Sequence, residues 1–140
     1  LDLQKELHKT IVFITHDLDE ALRIGDQISI LRDGAVIQDG NPQDIIMRPA
    51  DDYISDFIKD INRGRVIKVA TLMTKAKRVA GPKFEVSTLL EDVLTTLNKS
   101  KTDTGAVVDG KGKVVGKITM KDAIQAMARP QRSETGTRYK

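Results

Sequence analysis

Ile11-Val12-Phe13-Ile14 is an unbroken apolar run that leads directly into Thr15-His16-Asp17. Apolar side chains at every position, not every second one, suit a strand covered on both faces, as in a parallel sheet flanked by helices. The pattern predicts a buried strand over residues 10–15, and with it an α/β fold. The polar residues then fall at the strand's carboxyl end, where open α/β sheets place their ligands. An imidazole there can donate to an anion or orient a water at neutral pH, or it can end the strand by bonding a backbone carbonyl. His16 taken alone leaves both open.

Residues 17–61 read as short helices and a hairpin. Asp17 is a candidate N-cap with Glu20 three residues on, a capping-box spacing. A helix over residues 18–24 then stops at Gly25. Apolar stretches at 27–31 and 35–38 flank Arg32-Asp33-Gly34, and Asp-Gly between such runs is a hairpin signal. Asn41-Pro42 can start a second helix, bounded by Pro49. A third is expected over 51–61, with Tyr53, Ile54, Phe57, Ile58 and Ile61 on one face. These elements cannot cover both faces of a one-strand sheet, so residues 1–61 are expected to be the end of a larger α/β domain. The chain starts at Leu1 with no signal-peptide pattern, which is the expectation for a fragment.

Charge divides the 140 residues sharply: residues 1–61 carry 6 Lys/Arg against 13 Asp/Glu, a net −7, and residues 62–140 carry 17 against 7, a net +10. Such a reversal suggests two separately folded pieces. It falls at Asn62-Arg63-Gly64-Arg65, which reads as a linker. With no cysteine, disulfides and thiolate metal sites are excluded. No run approaches the roughly 18 apolar residues that span a bilayer.

Beyond the boundary, residues 66–73 are β-branched and apolar, residues 74–83 are polar and basic, and Gly81-Pro82 reads as a turn. Ser87 or Thr88 is the expected cap of a helix carrying Leu89, Leu90, Val93, Leu94 and Leu97. Strands are expected at 104–108 and 114–119 around the turn at 109–112. A helix over 121–128 comes next, with Ala123, Ile124 and Met127 on one face, and is ended by Pro130. Residues 129–140 read as a flexible basic tail.

Thr15-His16-Asp17 after a buried strand resembles the switch segment of ATP-binding-cassette (ABC) ATPases. The resemblance continues through Asp19-Glu20-Ala21, the hairpin from Ile28 to Gly34, the exit strand to Gly40, and Asn41-Pro42-Gln43-Asp44-Ile45. It covers residues 1 to about 61. It implies that His16 is catalytic and ATP-binding, touching the γ-phosphate and helping to organise the attacking water, with Mg2+ accompanying ATP. The sequence contains no Gly-x-x-x-x-Gly-Lys-Ser/Thr phosphate loop, no magnesium-holding acidic pair after an earlier strand, and no Leu-Ser-Gly-Gly-Gln signature. The resemblance implies that all three lie upstream of Leu1 and that this fragment alone is inactive. Residues 7–21, with Pro49-Ala50-Asp51-Asp52-Tyr53-Ile54-Ser55-Asp56-Phe57, look most like the ATPase subunits of glycine betaine, proline betaine and choline importers.

The second half resembles a single cystathionine-β-synthase-type (CBS) motif. The residues are Gly105-Ala106-Val107-Val108-Asp109 and the stretch from Gly112 to Ala123, preceded by the helix from Leu89 to Leu97. The resemblance implies an adenine nucleotide, with Thr119 contacting phosphate and Asp122 the ribose hydroxyls. The same two residues at this spacing also read as a helix cap and its acidic N3 partner with no ligand, and both readings stay open. Such motifs act in pairs, so an exposed apolar sheet face and homodimerisation with a second copy are expected.

The fold class expected is therefore α/β: the C-terminal end of a P-loop ABC ATPase domain (1–61), a linker and single CBS motif (62–128), and the tail (129–140). The implied partners are a membrane subunit, a second ATPase copy and, indirectly, a periplasmic or extracellular binding protein. The implied place is peripheral, on the cytoplasmic face of the bacterial inner membrane. Lys111, Lys113, Lys117 and Lys121, with Arg129, Arg132, Arg138 and Lys140, also suit an anionic membrane surface. Such a surface attracts about 1 kcal/mol per nearby basic residue, screened over roughly 8 Å at physiological salt. A salt-screened contact could gate osmolyte uptake. Nucleic acid is not expected, since aromatic residues for stacking are few and no recognition motif is present. The alternatives are a stand-alone CBS nucleotide-sensing or dimerisation module and an ABC ATPase for another solute.

Overall fold

A computed structural model describes residues 6–128. The expected basic tail, residues 129–140, falls outside these residues. The chain is mixed α/β and divides into two compact units, Leu1–Ile61 and Asn62–Lys140.

In the first unit the run that predicted a buried strand is not a strand. Residues 9–15 form no strand or helix, and Val12 and Ile14 are 83% and 97% exposed. A strand needs neighbours to take its N–H and C=O groups and elements to cover its faces. Among the described residues, no strand is paired with this segment. The strand expectation is therefore corrected for this chain.

Beyond it, local signals decide the structure. Helix α1 (Leu18–Ile24) is capped by the Asp17 carboxylate, which accepts from the Glu20 amide. The reciprocal half of the box is altered: the Asp17 amide donates to Thr15 Oγ1, whose hydroxyl donates to Glu20 Oε2 at 3.3 Å. Strands β1 (Ile28–Arg32) and β2 (Ala35–Gly40) form an antiparallel hairpin. Its turn holds Asp33 at φ 52° and Gly34 at φ 79°, the two left-handed positions that a two-residue turn of this hand requires. A register shift after Ile30 marks a bulge. Helix α2 (Pro42–Met47) has the Asn41 cap and proline at its start. Helix α3 (Asp52–Ile58) is capped by Asp51 and ends before residue 61. Ile54 and Ile58 are buried in this unit with Leu22, Ile45 and Ile46, whereas Tyr53 and Phe57 stay on the surface. Their rings lie 5.9 Å apart, with the Arg32 guanidinium 4.5 Å above Tyr53.

The second unit begins with a 3-10 turn, Arg63–Arg65, and a short helix α4 (Val69–Leu72). Its sheet has four strands in the order β3 (Thr74–Lys75), β6 (Val114–Thr119), β5 (Thr104–Val108), β4 (Lys83–Glu85). The β5–β6 and β3–β6 pairs are antiparallel. The β4–β5 pair is parallel and is joined through helix α5 (Leu90–Ser100), the crossover that parallel strands need. Helix α6 (Met120–Met127) directly succeeds β6.

Leu90, Val93 and Leu97 bury one stripe of α5, and Phe84, Val107 and Ile118 are buried in the sheet. Ala106, Val107 and Val108 are all buried, so both faces of β5 are covered within the unit. The exposed apolar sheet face expected from the sequence is absent among the described residues; the large apolar side chains left exposed among residues 62–128 are Ile124 and Met127, on α6. Neither Ser87 nor Thr88 caps α5. Leu89 stands at the cap position without a side-chain bond, and the Leu90 amide instead donates to the Ile67 carbonyl at 2.8 Å. A tertiary contact thus does what a cap would have done.

Candidate functional site

The sequence points to two places, one in each unit. His16 lies just after the apolar run of residues 11–14 and is exposed. Among the described residues none hydrogen-bonds its imidazole, although its neighbours Thr15 and Asp17 are held by the cap of α1. The backbone on its C-terminal side is therefore ordered by the helix. Nothing else among the described residues converges on the ring, and no group of three or more His, Cys, Asp or Glu is gathered to hold a metal ion.

Thr119 and Asp122 lie together where β6 runs into α6. Thr119 is extended and pairs with Thr104 of β5. Its Oγ1 accepts from the Asp122 amide at 3.1 Å, which makes it the N-cap. The Met120 amide donates to the Asp103 carbonyl at 2.7 Å and pins the junction from the other side. Among the described residues no donor reaches the Asp122 carboxylate, so the reciprocal half of a capping box is not made. A hydroxyl has one proton and two lone pairs. With one lone pair on the helix amide, the Thr119 proton stays free to donate, next to a half-exposed carboxylate that can accept. The pair thus offers one donor and one acceptor at the same helix start. It also caps a helix without any ligand.

The basic surface is built locally. Asp109 Oδ1 accepts from the amides of both Lys111 and Lys113 at 2.9 Å, which fixes the turn between β5 and β6. Lys111, Lys113, Lys117 and Lys121 are all exposed, and among the described residues none is ion-paired. No helix among the described residues is long and apolar enough to cross a membrane.

One charged residue was missed by sequence reasoning. Arg63, in the segment that reads as a linker, is 8% exposed. Its Nε donates to the Ala126 carbonyl at 2.7 Å, and burial lowers its pKa from the usual value. No periodicity marks it, because its partner lies 63 residues away in sequence.

No family model matches the chain. Individual relatives do. The glycine betaine/carnitine transport ATP-binding protein GbuA of Listeria monocytogenes is 52% identical over 79 residues, 56% of this chain and 20% of the relative. The trimethylamine N-oxide transport system ATP-binding protein TmoW of Pelagibacter ubique is 42% identical over 123 residues, 84% and 35%. The glycine betaine/proline betaine transport system ATP-binding protein ProV of Escherichia coli is 31% identical over 136 residues, 92% and 32%. In sequence the chain is similar, over most of its own length, to ATP-binding subunits of ABC transporters. Within that class its relatives are named for glycine betaine, carnitine, choline and trimethylamine N-oxide. It spans between 20% and 37% of the length of the first of them. Among solved structures, Staphylococcus aureus OpuCA superposes with a TM-score of 0.31 at 14% identity, covering 77% of this chain and 76% of that one.

Proposed function

We propose that this chain is the C-terminal part of the ATP-hydrolysing subunit of an importer for small methylated amines, with residues 62–128 forming a CBS-type module that regulates transport. The observation that carries the reading is the sequence identity to transporter ATP-binding subunits across both halves, 42% over 123 residues in one relative. The solute class includes glycine betaine, carnitine and choline. It extends to an amine oxide, since two relatives are named for trimethylamine N-oxide.

His16 is this chain's contribution to the ATP site of the whole subunit. An exposed imidazole, set beside a helix start that fixes its backbone, is free to meet a phosphate oxygen or a water. The rest of that site, and the groups that hold Mg2+, belong to other parts of the subunit. Thr119 and Asp122 are a candidate contact for an adenine nucleotide. The exposed Ile124 and Met127 on α6 suit a second copy of the module, consistent with two ATPase subunits per transporter. The four exposed lysines suit an anionic membrane surface whose attraction falls with salt. The subunit would then sit peripherally at the cytoplasmic face of the bacterial inner membrane, beside its membrane subunit and served by a separate binding protein.

The test is reconstitution. The complete subunit, with its membrane and binding-protein partners in proteoliposomes, should drive ATP-dependent uptake of glycine betaine, choline or trimethylamine N-oxide. ATP hydrolysis without uptake of any of these would overturn the solute class. Absence of ATP hydrolysis would overturn the enzyme class.

A further inference from the structure

The segment where the chain enters the second unit is tied to both of that unit's longer helices. Asn62 caps the 3-10 turn by accepting from the Gly64 amide. From this turn Arg63 Nε donates to the Ala126 carbonyl in the last turn of α6. A carbonyl in the last turn of a helix lacks an intrahelical donor and sits at the negative end of the helix dipole. A buried guanidinium is well matched to it. Gly64 lies so close to the helices that an added Cβ would stand 3.3 Å from Met127 Sδ and 3.1 Å from Glu91 Cβ. On the other side Arg65 Nε approaches Glu91 Oε2 at 3.7 Å, and the Ile67 carbonyl takes the first amide of α5. The Val66 and Ile67 amides both donate back to the Arg63 carbonyl, which closes the turn around the arginine.

We propose that Arg63 is a latch that makes the entry segment 62–67 and helix α6 move as one body. The start of the second unit, at residue 62, then follows α6. Whatever displaces α6, whether a ligand at its Thr119 end or a second copy on its exposed face, is transmitted to residue 62 through the Arg63–Ala126 bond. The local coupling stands independently of the transporter reading. What it would regulate in the first unit rests on that reading.

Hydrogen–deuterium exchange on the full chain tests the coupling without any assay of transport. Arg63→Met keeps much of the length and apolar stem but removes the donor. It should speed exchange of the Val66 and Ile67 amides and of the Ala128 amide, which donates to Gln125 at the end of α6, together and by about tenfold or more. The amides of the β5–β6 ladder should keep their protection. Arg63→Lys, which restores a cation and a donor at the same place, should recover part of the lost protection at both sites. Arg65→Met, which removes only an exposed pair, should leave α6 unchanged. Three results overturn the proposal: no change, a change at 66–67 that leaves α6 untouched, or an equal loss across the ladder, which makes Arg63 a general stability residue. Should Arg63→Met not fold, Arg63→Lys carries the test, with both sites shifting together or the proposal failing.

Discussion

Residues 11–14 and residues 105–108 are both short apolar runs, yet Val12 and Ile14 are 83% and 97% exposed while Ala106 and Val107 are fully buried. Composition does not separate them; surroundings do. The second run has β4 on one side and β6 on the other, and both its faces are covered by its own unit. The first has no paired strand beside it among the described residues. Leaving a large apolar side chain in water forgoes roughly 1.5–3 kcal/mol. The first run is therefore a surface that only additional structure can satisfy, and the second is already satisfied. On the proposed function, this is the difference between a piece of a catalytic domain and a nearly self-sufficient regulatory module.

The largest expected effect lies where the first region meets chemistry. His16→Ala in the complete subunit should lower ATP hydrolysis by roughly 100-fold or more, the usual scale for a group that positions or activates the attacking water. The same change in this chain should leave its unfolding midpoint unchanged, because the side chain is exposed. Unaltered hydrolysis would return His16 to a surface role and erase the functional side of the contrast.

Stability sharpens the structural side. Leu97 is fully buried on α5, so Leu97→Ala should cost about 2–5 kcal/mol in urea unfolding of this chain. Val12→Ala should stay within about 0.5 kcal/mol. Comparable costs at the two positions would mean that residues 11–14 are covered after all.

A smaller effect is expected at the start of α6. Thr119→Ala removes the cap to the Asp122 amide and should cost about 1 kcal/mol, which Thr119→Ser should largely restore. Asp122→Asn, at a position whose side chain makes no capping bond, should leave stability nearly unchanged. Titration calorimetry with ATP and AMP separates the two roles of the pair. A nucleotide site predicts binding that Asp122→Asn weakens, whereas a cap alone predicts none.

The elements legible in the sequence were those whose causes are local. Asp33-Gly34 dictates its own turn, and Asp17, Asn41, Asp51 and Thr119 each accept from an amide in the first turn of their helices. The features that sequence did not disclose depended on distant partners. The short strands β3 and β4 exist because β6 and β5 offer them hydrogen bonds. Thr88 is not a cap because Ile67 takes the amide of Leu90. Arg63 looks like a linker residue until Ala126 is brought to it. The candidate site divides in the same way. Thr119 and Asp122 are three residues apart, so their pairing could be read from spacing. The surroundings of His16 could not, since no described residue hydrogen-bonds its ring.

The sharpest measurement of the contrast is amide exchange of residues 11–14 in this chain and in the complete subunit, read against the β5–β6 ladder as an internal standard. Near-unprotected exchange is expected at 11–14 in this chain, strong protection of the same amides in the complete subunit, and a ladder protected equally in both. Residues 11–14 exchanging at the same fast rate in both would contradict the contrast, because the run would then be a loop and His16 would not stand at the end of a catalytic strand.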